Sequence, residues 1–337
     1  NIVIFCPVIT THHHRGNDRA EDYNVAWLDH LFNNYPIVLT SHVNFFNALF
    51  SCGRNQGFPL LKLCNSVIVI DEIQSYKNAI WREIISFLQK YAKLLNMKII
   101  IMSATLPQLD KLLKTADAKF ATLIEKPEKY YHHPLFRDRV RLDFSLLAEE
   151  KITLDRLKKE VLRFKDKRVL VEFIKKKTAR IFYMMCKDEC NAVLLTGDDN
   201  AIRREQIIKR IRNGEQLVLI ATQVIEAGID IDMEIGFKDI SLLDAEEQFL
   251  GRVNRSCLNQ EGALVYFFDY DDASLIYRGD ARLYHSIRDA AIQQLLNEKC
   301  FSEFYATVFK DLIARTSRSN EKNIANLDKH CAQFNCK

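Results

Sequence analysis

Prolines and glycines are sparse, 6 and 10 in 337 residues, and no low-complexity tract or solenoid-type repeat interrupts the chain. Collagen-like, linker-like and repeat architectures are therefore excluded. No apolar run reaches the roughly 20 residues of a bilayer span, and no secretory signal peptide is present, so no membrane partner is expected. Cysteine offers no covalent framework. The nine thiols are scattered, no C-x-x-C pair occurs, and Cys186 and Cys190, the closest two, lack a second pair to complete a zinc site. Neither structural zinc nor a disulfide scaffold is expected, and a cytoplasmic, reducing setting fits best. A strong charge of one sign is also lacking. The 48 Lys and Arg against 44 Asp and Glu leave +4, too little to argue for nucleic acid alone. His12, His13 and His14 adjoin, but adjacent side chains do not converge on one ion and no acidic or Cys partner is near; a loop is expected there.

What is present is an ordinary globular composition, 48% hydrophobic and 27% charged, in a chain long enough for two domains with sizeable cores. Its most informative stretch is Val67-Ile68-Val69-Ile70 followed by Asp71-Glu72. Four consecutive apolar residues predict a strand buried on both faces of a parallel sheet. Ligands of open α/β sheets sit beyond the carboxyl ends of their strands, so the two carboxylates stand where a ligand is expected. Asp71 there suits a hard cation such as Mg²⁺ shared with phosphate oxygens, and a neighbouring carboxylate can orient or deprotonate a water.

Strands alternate with helices twice over. Strands are expected at 2–6, 36–41 and 97–102, with 120–124 closing the first sheet. Helices are expected near 23–34, 43–50 and 79–95, with a further one started by Pro107. Thr40 or Ser41 is placed to cap the helix after it. Residues 126–134 read as a linker. A second set of strands follows at 168–173, 192–195, 217–221, 235–240 and 263–268, with helices at 153–164 and 200–213, one opening at Lys175-Lys176-Lys177-Thr178, and one that Asp244 is placed to cap. Lys177 and Thr178 at a helix start suit phosphate. Arg252 and Arg255, three apart, are expected to share a helix face. The expected organisation is α/β, two tandem parallel-sheet domains at 1–132 and 133–272 with a helical segment and tail at 273–337. A carboxylate pair on one domain and an arginine pair on the other suit phosphoryl transfer between them.

The order of motifs resembles that of superfamily 2 helicases. Asp71-Glu72-Ile73-Gln74 resembles their Walker B motif and Ser103-Ala104-Thr105 their motif III. Thr222 through Asp232 looks like motif V, and Gln248-x-x-Gly251-Arg252-x-x-Arg255 like motif VI. The detail of these runs is similar to the helicase portion of the CRISPR-associated nuclease-helicases of type I interference, over about residues 2–270. The resemblance implies tandem RecA-like domains, ATP and Mg²⁺ as cofactors, and 3′ to 5′ movement on single-stranded DNA. It implies an RNA-guided surveillance complex and a histidine-aspartate nuclease domain, separate or upstream, as partners. By it Asp71 holds Mg²⁺ through water and Glu72 is the general base, while Ser103 and Thr105 couple hydrolysis to domain movement. Thr40 and Ser41 contact the DNA backbone. Thr222, Gln223 and Glu226 face DNA and nucleotide, and Gly228 and Asp230 lie near ribose and metal. Gln248 approaches the γ-phosphate, and Arg252 and Arg255 are arginine fingers.

Departures are equally specific. No Gly-x-x-x-x-Gly-Lys-Ser/Thr occurs, and Phe249 stands where the family usually has Arg. The first strand matches motif Ia, which follows the Walker A loop, so a natural start further upstream is expected, and a break is expected within Thr11 to Asp22. An RNA helicase of the same superfamily, or a nucleic-acid-binding module without ATPase activity, are the alternative readings.

Overall fold

Strand pairings among the described residues are all parallel, as uninterrupted apolar runs require when both sheet faces are covered. The computed structural model describes residues 2–5, 35–50, 58–113, 120–225 and 229–315. The expected helix at 23–34, the His12–His14 loop and the break expected between Thr11 and Asp22 lie outside them. The described chain forms two compact units, one of residues up to 120 with 309–315 and one within 121–308.

In the first unit, β1 (Ile2–Phe5), β2 (Ile37–Thr40), β3 (Val67–Ile70) and β4 (Lys98–Ile101) lie in the order β2-β1-β3-β4. Helices α1 (His42–Phe50), α2 (Phe58–Leu63) and α3 (Trp81–Leu94) follow β2 and β3. Helix α3 buries Trp81, Ile84, Ile85 and Leu88, one stripe at 3.6-residue spacing. The Trp81 indole donates to the Tyr76 carbonyl at 3.0 Å and meets Phe309 edge-on. Two expectations fail here. Residues 120–124 form no strand and are exposed, and Pro107 opens no α-helix; a single 3-10 turn, Leu109–Leu112, follows it. Phe120, Leu123 and Ile124 give the first stretch an apolar look without the period-2 pattern of a half-buried strand.

The second unit opens with two short helices, α4 (Glu128–Tyr131) and α5 (Pro134–Arg137), where a linker was expected. Its sheet has six strands: β5 (Val140–Asp143), β6 (Val169–Glu172), β7 (Ala192–Leu195), β8 (Val218–Ala221), β9 (Ile235–Asp239) and β10 (Ala263–Phe268), ordered β5-β10-β9-β6-β8-β7. The interior strands β6, β8 and β9 are buried at every position. Around them lie α6 (Leu154–Leu162), α7 (Lys176–Cys186), α8 (Ala201–Arg212) and α9 (Leu243–Leu250). The core gathers Val169, Val171, Phe173, Phe182, Phe237 and Phe268. Helix α9 packs on β9 so closely that a Cβ at Gly236 would lie 2.7 Å from the Phe249 ring.

Residues 273–308, with α10 (Ala290–Glu298) and most of α11 (Phe301–Arg315), are wired to this sheet unit. Asp244 does not cap α9, whose N-cap is Leu242. It is buried one residue inside the helix, where it accepts from Arg282 Nη1 at 2.8 Å and from the Tyr305 hydroxyl. Burial opposes the Arg282 charge, but Asp244 and Asp280 outweigh it and raise its pKa.

Candidate functional site

The first unit's candidate residues come to one edge because its strands end level. Phe5 pairs with Thr40 and with Ile70, and Ile70 pairs with Ile101. Thr40-Ser41, Asp71-Glu72 and Ser103 to Thr105 therefore all emerge at the carboxyl edge of one parallel sheet, where such sheets hold ligands. Ser41 is the cap: its hydroxyl accepts the Asn44 N–H at 3.3 Å. Thr40 is buried, with its Oγ1 accepting from Asn44 Nδ2. Glu72 adopts a left-handed conformation at φ 53°, ψ 47°. Its N–H donates to Asp71 Oδ1 at 2.9 Å, and its carboxylate accepts from buried Gln74. The turn thus sets two adjacent, half-buried carboxylates at one strand end. Ser103 Oγ accepts the Thr105 N–H at 3.1 Å, and Thr105 is buried.

Such a donor set of carboxylate oxygens suits Mg²⁺. The residues for gripping phosphate are a different matter, since no Gly-x-x-x-x-Gly-Lys-Ser/Thr stands in the sequence. Asp71 and Glu72 therefore offer oxygen ligands to a divalent cation, with no phosphate-gripping lysine loop beside them in the sequence.

In the second unit, β8 runs into Thr222, which is buried, and the 3-10 turn Gln223–Ile225. Gln223 Nε2 donates to the Tyr277 hydroxyl at 2.9 Å. Glu226 and Gly228 lie outside the described residues. Gln248 is half-buried on the last turn of α9. The shared helix face expected for Arg252 and Arg255 is not found, because α9 ends at Leu250. Residues 251–255 leave the helix to bridge the sheet: Met233 N–H donates to the Arg252 carbonyl and Asn254 N–H to the Met233 carbonyl, at 3.0 and 2.8 Å. Asn254 turns the chain at φ 45°, a conformation that Asn tolerates. The two guanidinium groups are nonetheless brought to the motif V segment. Arg252 Nε donates to the Ile225 carbonyl at 2.9 Å, and Arg255 Nε lies 3.4 Å from Asp230. Asp230 also binds Arg212 at 2.8 Å.

Phe249 is explained by packing. It is fully buried on Gly236 and belongs to the core, so no polar group is missing from the surface there. Helix α7 begins as expected after Lys175, but an anion of the protein already occupies its start. Asp271 accepts the Lys175 N–H at 2.9 Å and the hydroxyl of buried Thr178 at 2.8 Å. Lys177 is exposed, whereas Lys176 and Arg180 bind Asp198 at 2.5 and 2.8 Å.

Sequence reasoning missed the residues that join these pieces. Asp232 accepts the N–H groups of Arg255 and Ser256 at 2.8 and 3.1 Å, tying the motif V run to the arginine turn. Arg139 donates to the Leu250 and Val253 carbonyls at 3.0 and 2.5 Å. Behind them lies a buried charged group: Lys238 pairs with Glu172 at 2.9 Å across the β6–β9 register, and Glu246 accepts the Ser241 N–H. Burial pushes the Glu246 carboxyl up to about 7 and that of Asp239 up to about 8. The one available sequence signal was the second acid of the Asp230-Ile231-Asp232 run; Arg139 gave none, being more than 100 residues from its partners.

Comparison with known proteins bears on the family and the fold. Residues 81–257, just over half of the chain, match the family described as CRISPR-associated nuclease/helicase Cas3, C-terminal. The chain is similar to a CRISPR-associated nuclease/helicase Cas3 of Methanothermobacter thermautotrophicus, 26% identical over 56% of this chain and 24% of that one. It spans about a quarter to a third of the length of the curated Cas3 relatives it matches. In fold it resembles a chain of a CRISPR RNA-guided surveillance complex in a pre-nicking state, with a TM-score of 0.63 and 15% identity over 98% of this chain and 47% of that one. It likewise resembles T. fusca Cas3 with ATP, with a TM-score of 0.59 and 15% identity over 88% and 41%. A parallel sheet that presents Asp71-Glu72 level with Ser103, a second that ties Arg252 and Arg255 to the motif V turn, and a family match that spans most of these residues lead to one conclusion: the chain belongs to the CRISPR-associated nuclease/helicase Cas3 C-terminal family.

Proposed function

We propose that this chain carries the ATP-driven, single-stranded-DNA-translocating part of a CRISPR interference helicase, acting with an RNA-guided surveillance complex and a histidine-aspartate nuclease domain. The observation that carries this reading is the carboxyl edge of the first sheet, where Asp71 and Glu72 emerge level with Thr40 and Ser103. Asp71 would hold Mg²⁺, which when bound neutralises charge on the nucleotide phosphates. Glu72, beside it and steadied by Gln74, accepts the proton of the attacking water. Ser103 and Thr105 couple hydrolysis to domain movement. Gln248, Arg252 and Arg255 meet the γ-phosphate, and Gly228 and Asp230 lie toward ribose and metal. Thr40, Ser41, Lys177, Thr222 and Gln223 contact the DNA backbone, and buried Thr178 acts behind Lys177 by fixing Asp271 on the helix start. Contacts of this kind bind single strands with little regard to sequence.

The test is Glu72→Gln in the full-length protein. Turnover of ATP with single-stranded DNA is expected to vanish while ATP binding persists, because shape and metal geometry change little and the base is lost. Near wild-type turnover refutes the assignment. Stimulation by RNA in place of DNA supports an RNA helicase instead. Retained DNA binding with no nucleotide response in the full-length wild type supports a binding module.

A further inference from the structure

The turn that carries Arg252 and Arg255 keeps backbone bonds to its helix, from the Gly251, Arg252 and Val253 N–H groups to the Glu247, Phe249 and Leu250 carbonyls, and to Met233 and Asp232, yet its carbonyls accept further donors. Helix α9 stops at Leu250, and the last carbonyls of a helix have no partner within it. Arg139 supplies one. A single nitrogen, Nη1, donates to the Leu250 carbonyl at 3.0 Å and to the Val253 carbonyl at 2.5 Å, one on each side of Gly251 and Arg252. The same residue closes the turn from its backbone side, since its carbonyl accepts Asn254 Nδ2 at 2.9 Å. Arg139 thus grips residues 250, 253 and 254, which bracket Arg252 and immediately precede Arg255.

Arg139 is itself fixed from behind. Its carbonyl also accepts the Ala263 N–H at 3.0 Å, at the start of the β5–β10 pairing. The backbone of Asp138 lies so near Gly262 that a Cβ there would come within 2.6 Å of the Asp138 carbonyl. Asn259 completes the frame: its N–H donates to Asn254 Oδ1 and its carbonyl accepts from Asn254 Nδ2. A charged, planar guanidinium suits the negative end of a helix, and its rigid fork loses little freedom per bond formed. The arrangement costs a desolvated charge, which burial opposes by lowering the Arg139 pKa, with Glu247 the largest favourable neighbour and Arg255 an opposing one. Helix termination alone needs no such charge; a glycine or water at the same carbonyls suffices.

We propose that Arg139 is a positioning residue for the arginine pair, setting the path of residues 250–255 so that Arg252 and Arg255 reach the transferred phosphoryl group. This rests on the reading of those two arginines as γ-phosphate ligands. The residue touches no substrate; it acts through the turn.

The experiment uses the full-length protein with single-stranded DNA and compares Arg139→Ala, Arg139→Lys and Arg255→Ala. Each is measured for kcat and KM of ATP hydrolysis, for melting temperature, and for amide exchange along residues 250–256. For Arg139→Ala the expected result is a fall in kcat of about 10- to 100-fold, the size expected when a reacting group is displaced by about 1 Å. KM stays within about twofold, and exchange rises within 250–256 while the rest of the unit keeps its protection. Arg139→Lys, which retains the charge but not the fork, is expected to recover part of the loss. Unchanged kcat in Arg139→Ala with Arg255→Ala inactive overturns this proposal alone. Normal hydrolysis in Arg255→Ala overturns the arginine-finger reading and this proposal with it. If Arg139→Ala does not fold, Arg139→Lys decides. Reduced kcat at an unchanged melting temperature supports positioning. Either wild-type kcat, or a loss that follows melting with exchange raised throughout the unit, overturns it.

Discussion

At the scale of single residues, Glu72 holds a costly backbone conformation. A non-glycine residue in the left-handed region costs roughly 1–2 kcal/mol, and Glu72 bears it at φ 53°. Glu72→Gly removes that strain, although glycine returns part of the gain as chain entropy. The variant is expected to unfold in urea at the same or a slightly higher concentration than wild type, yet to hydrolyse no ATP in the full-length protein. Clear destabilisation would show that the side chain serves the fold. Glu246 makes a second case. Burial is the main cause that raises its carboxyl to about 7, with Lys238 opposing and Glu172 reinforcing. Its folded pKa lies above its unfolded value, so between about pH 4.5 and 7 the unfolded state binds fewer protons. Stability is then full at low pH and lost as pH rises through 7, with a slope of at most about 1.4 kcal/mol per pH unit for the group. Asp239, raised to about 8, extends the same trend. Melting temperature is expected to fall from pH 5 to 8 in wild type and to fall less in Glu246→Gln. Equal slopes for the two would mean that Glu246 is ionised in the fold. The placement of Thr40, Asp71, Glu72 and Ser103 at strand ends was legible in sequence because each follows a short apolar run. Arg139, Asp271 and Asn254 were not, because their partners are distant in sequence or lie in a turn whose shape only the folded chain defines.

Among elements, α7 is the one whose reading changed most. Three lysines and a threonine at its start suggested an external phosphate, and the position is held by Asp271 from the loop after β10. An acid at a helix N-terminus meets both the orphan N–H groups and the helix dipole. Asp271→Ala removes that cap, typically worth about 1–2 kcal/mol, and leaves the buried Thr178 hydroxyl short of an acceptor at about 1–3 kcal/mol. A combined loss of about 2–5 kcal/mol in urea unfolding is expected; a loss under about 0.5 kcal/mol would show that water replaces the carboxylate. Other elements reveal what patterning can see. Apolar runs such as Val169–Glu172 and Val218–Ala221 were found within a residue or two of their ends. Strand β5 was missed because Val140-Arg141-Leu142-Asp143 sits at a sheet edge, with charged residues between its apolar ones. The expected helix continuation through Arg255 failed because the Met233–Val253 bridge offers the backbone partners that the helix would otherwise supply.

At the scale of the molecule, the α/β class with parallel sheets followed from alternating strand and helix signals, whereas the attachment of residues 273–308 to the second sheet did not. That attachment depends on buried ion pairs, such as Arg282 with Asp244, that no periodicity encodes. The functional division is the part most open to experiment. The first unit holds Asp71 and Glu72 and the second holds Arg252 and Arg255. Arg255 is paired to Asp230 at 3.4 Å, with the side chains about half exposed, at 44% and 63%. Such a surface pair is worth under about 1 kcal/mol, and Asp230 retains Arg212 at 2.8 Å when Arg255 leaves. Breaking the pair, as the role proposed for Arg255 requires, therefore costs little. The arginine's planar fork, permanently charged, is suited to equatorial phosphoryl oxygens in a water-poor site. In the full-length protein with single-stranded DNA, Arg255→Ala is expected to lower kcat by about 10³-fold or more, the range for loss of an arginine finger. ATP binding is expected to change far less, because the charge that the arginine meets develops only as the phosphoryl group transfers. Normal hydrolysis by Arg255→Ala would leave Arg255 as a surface ion pair and move the search for the phosphate ligand to Arg252.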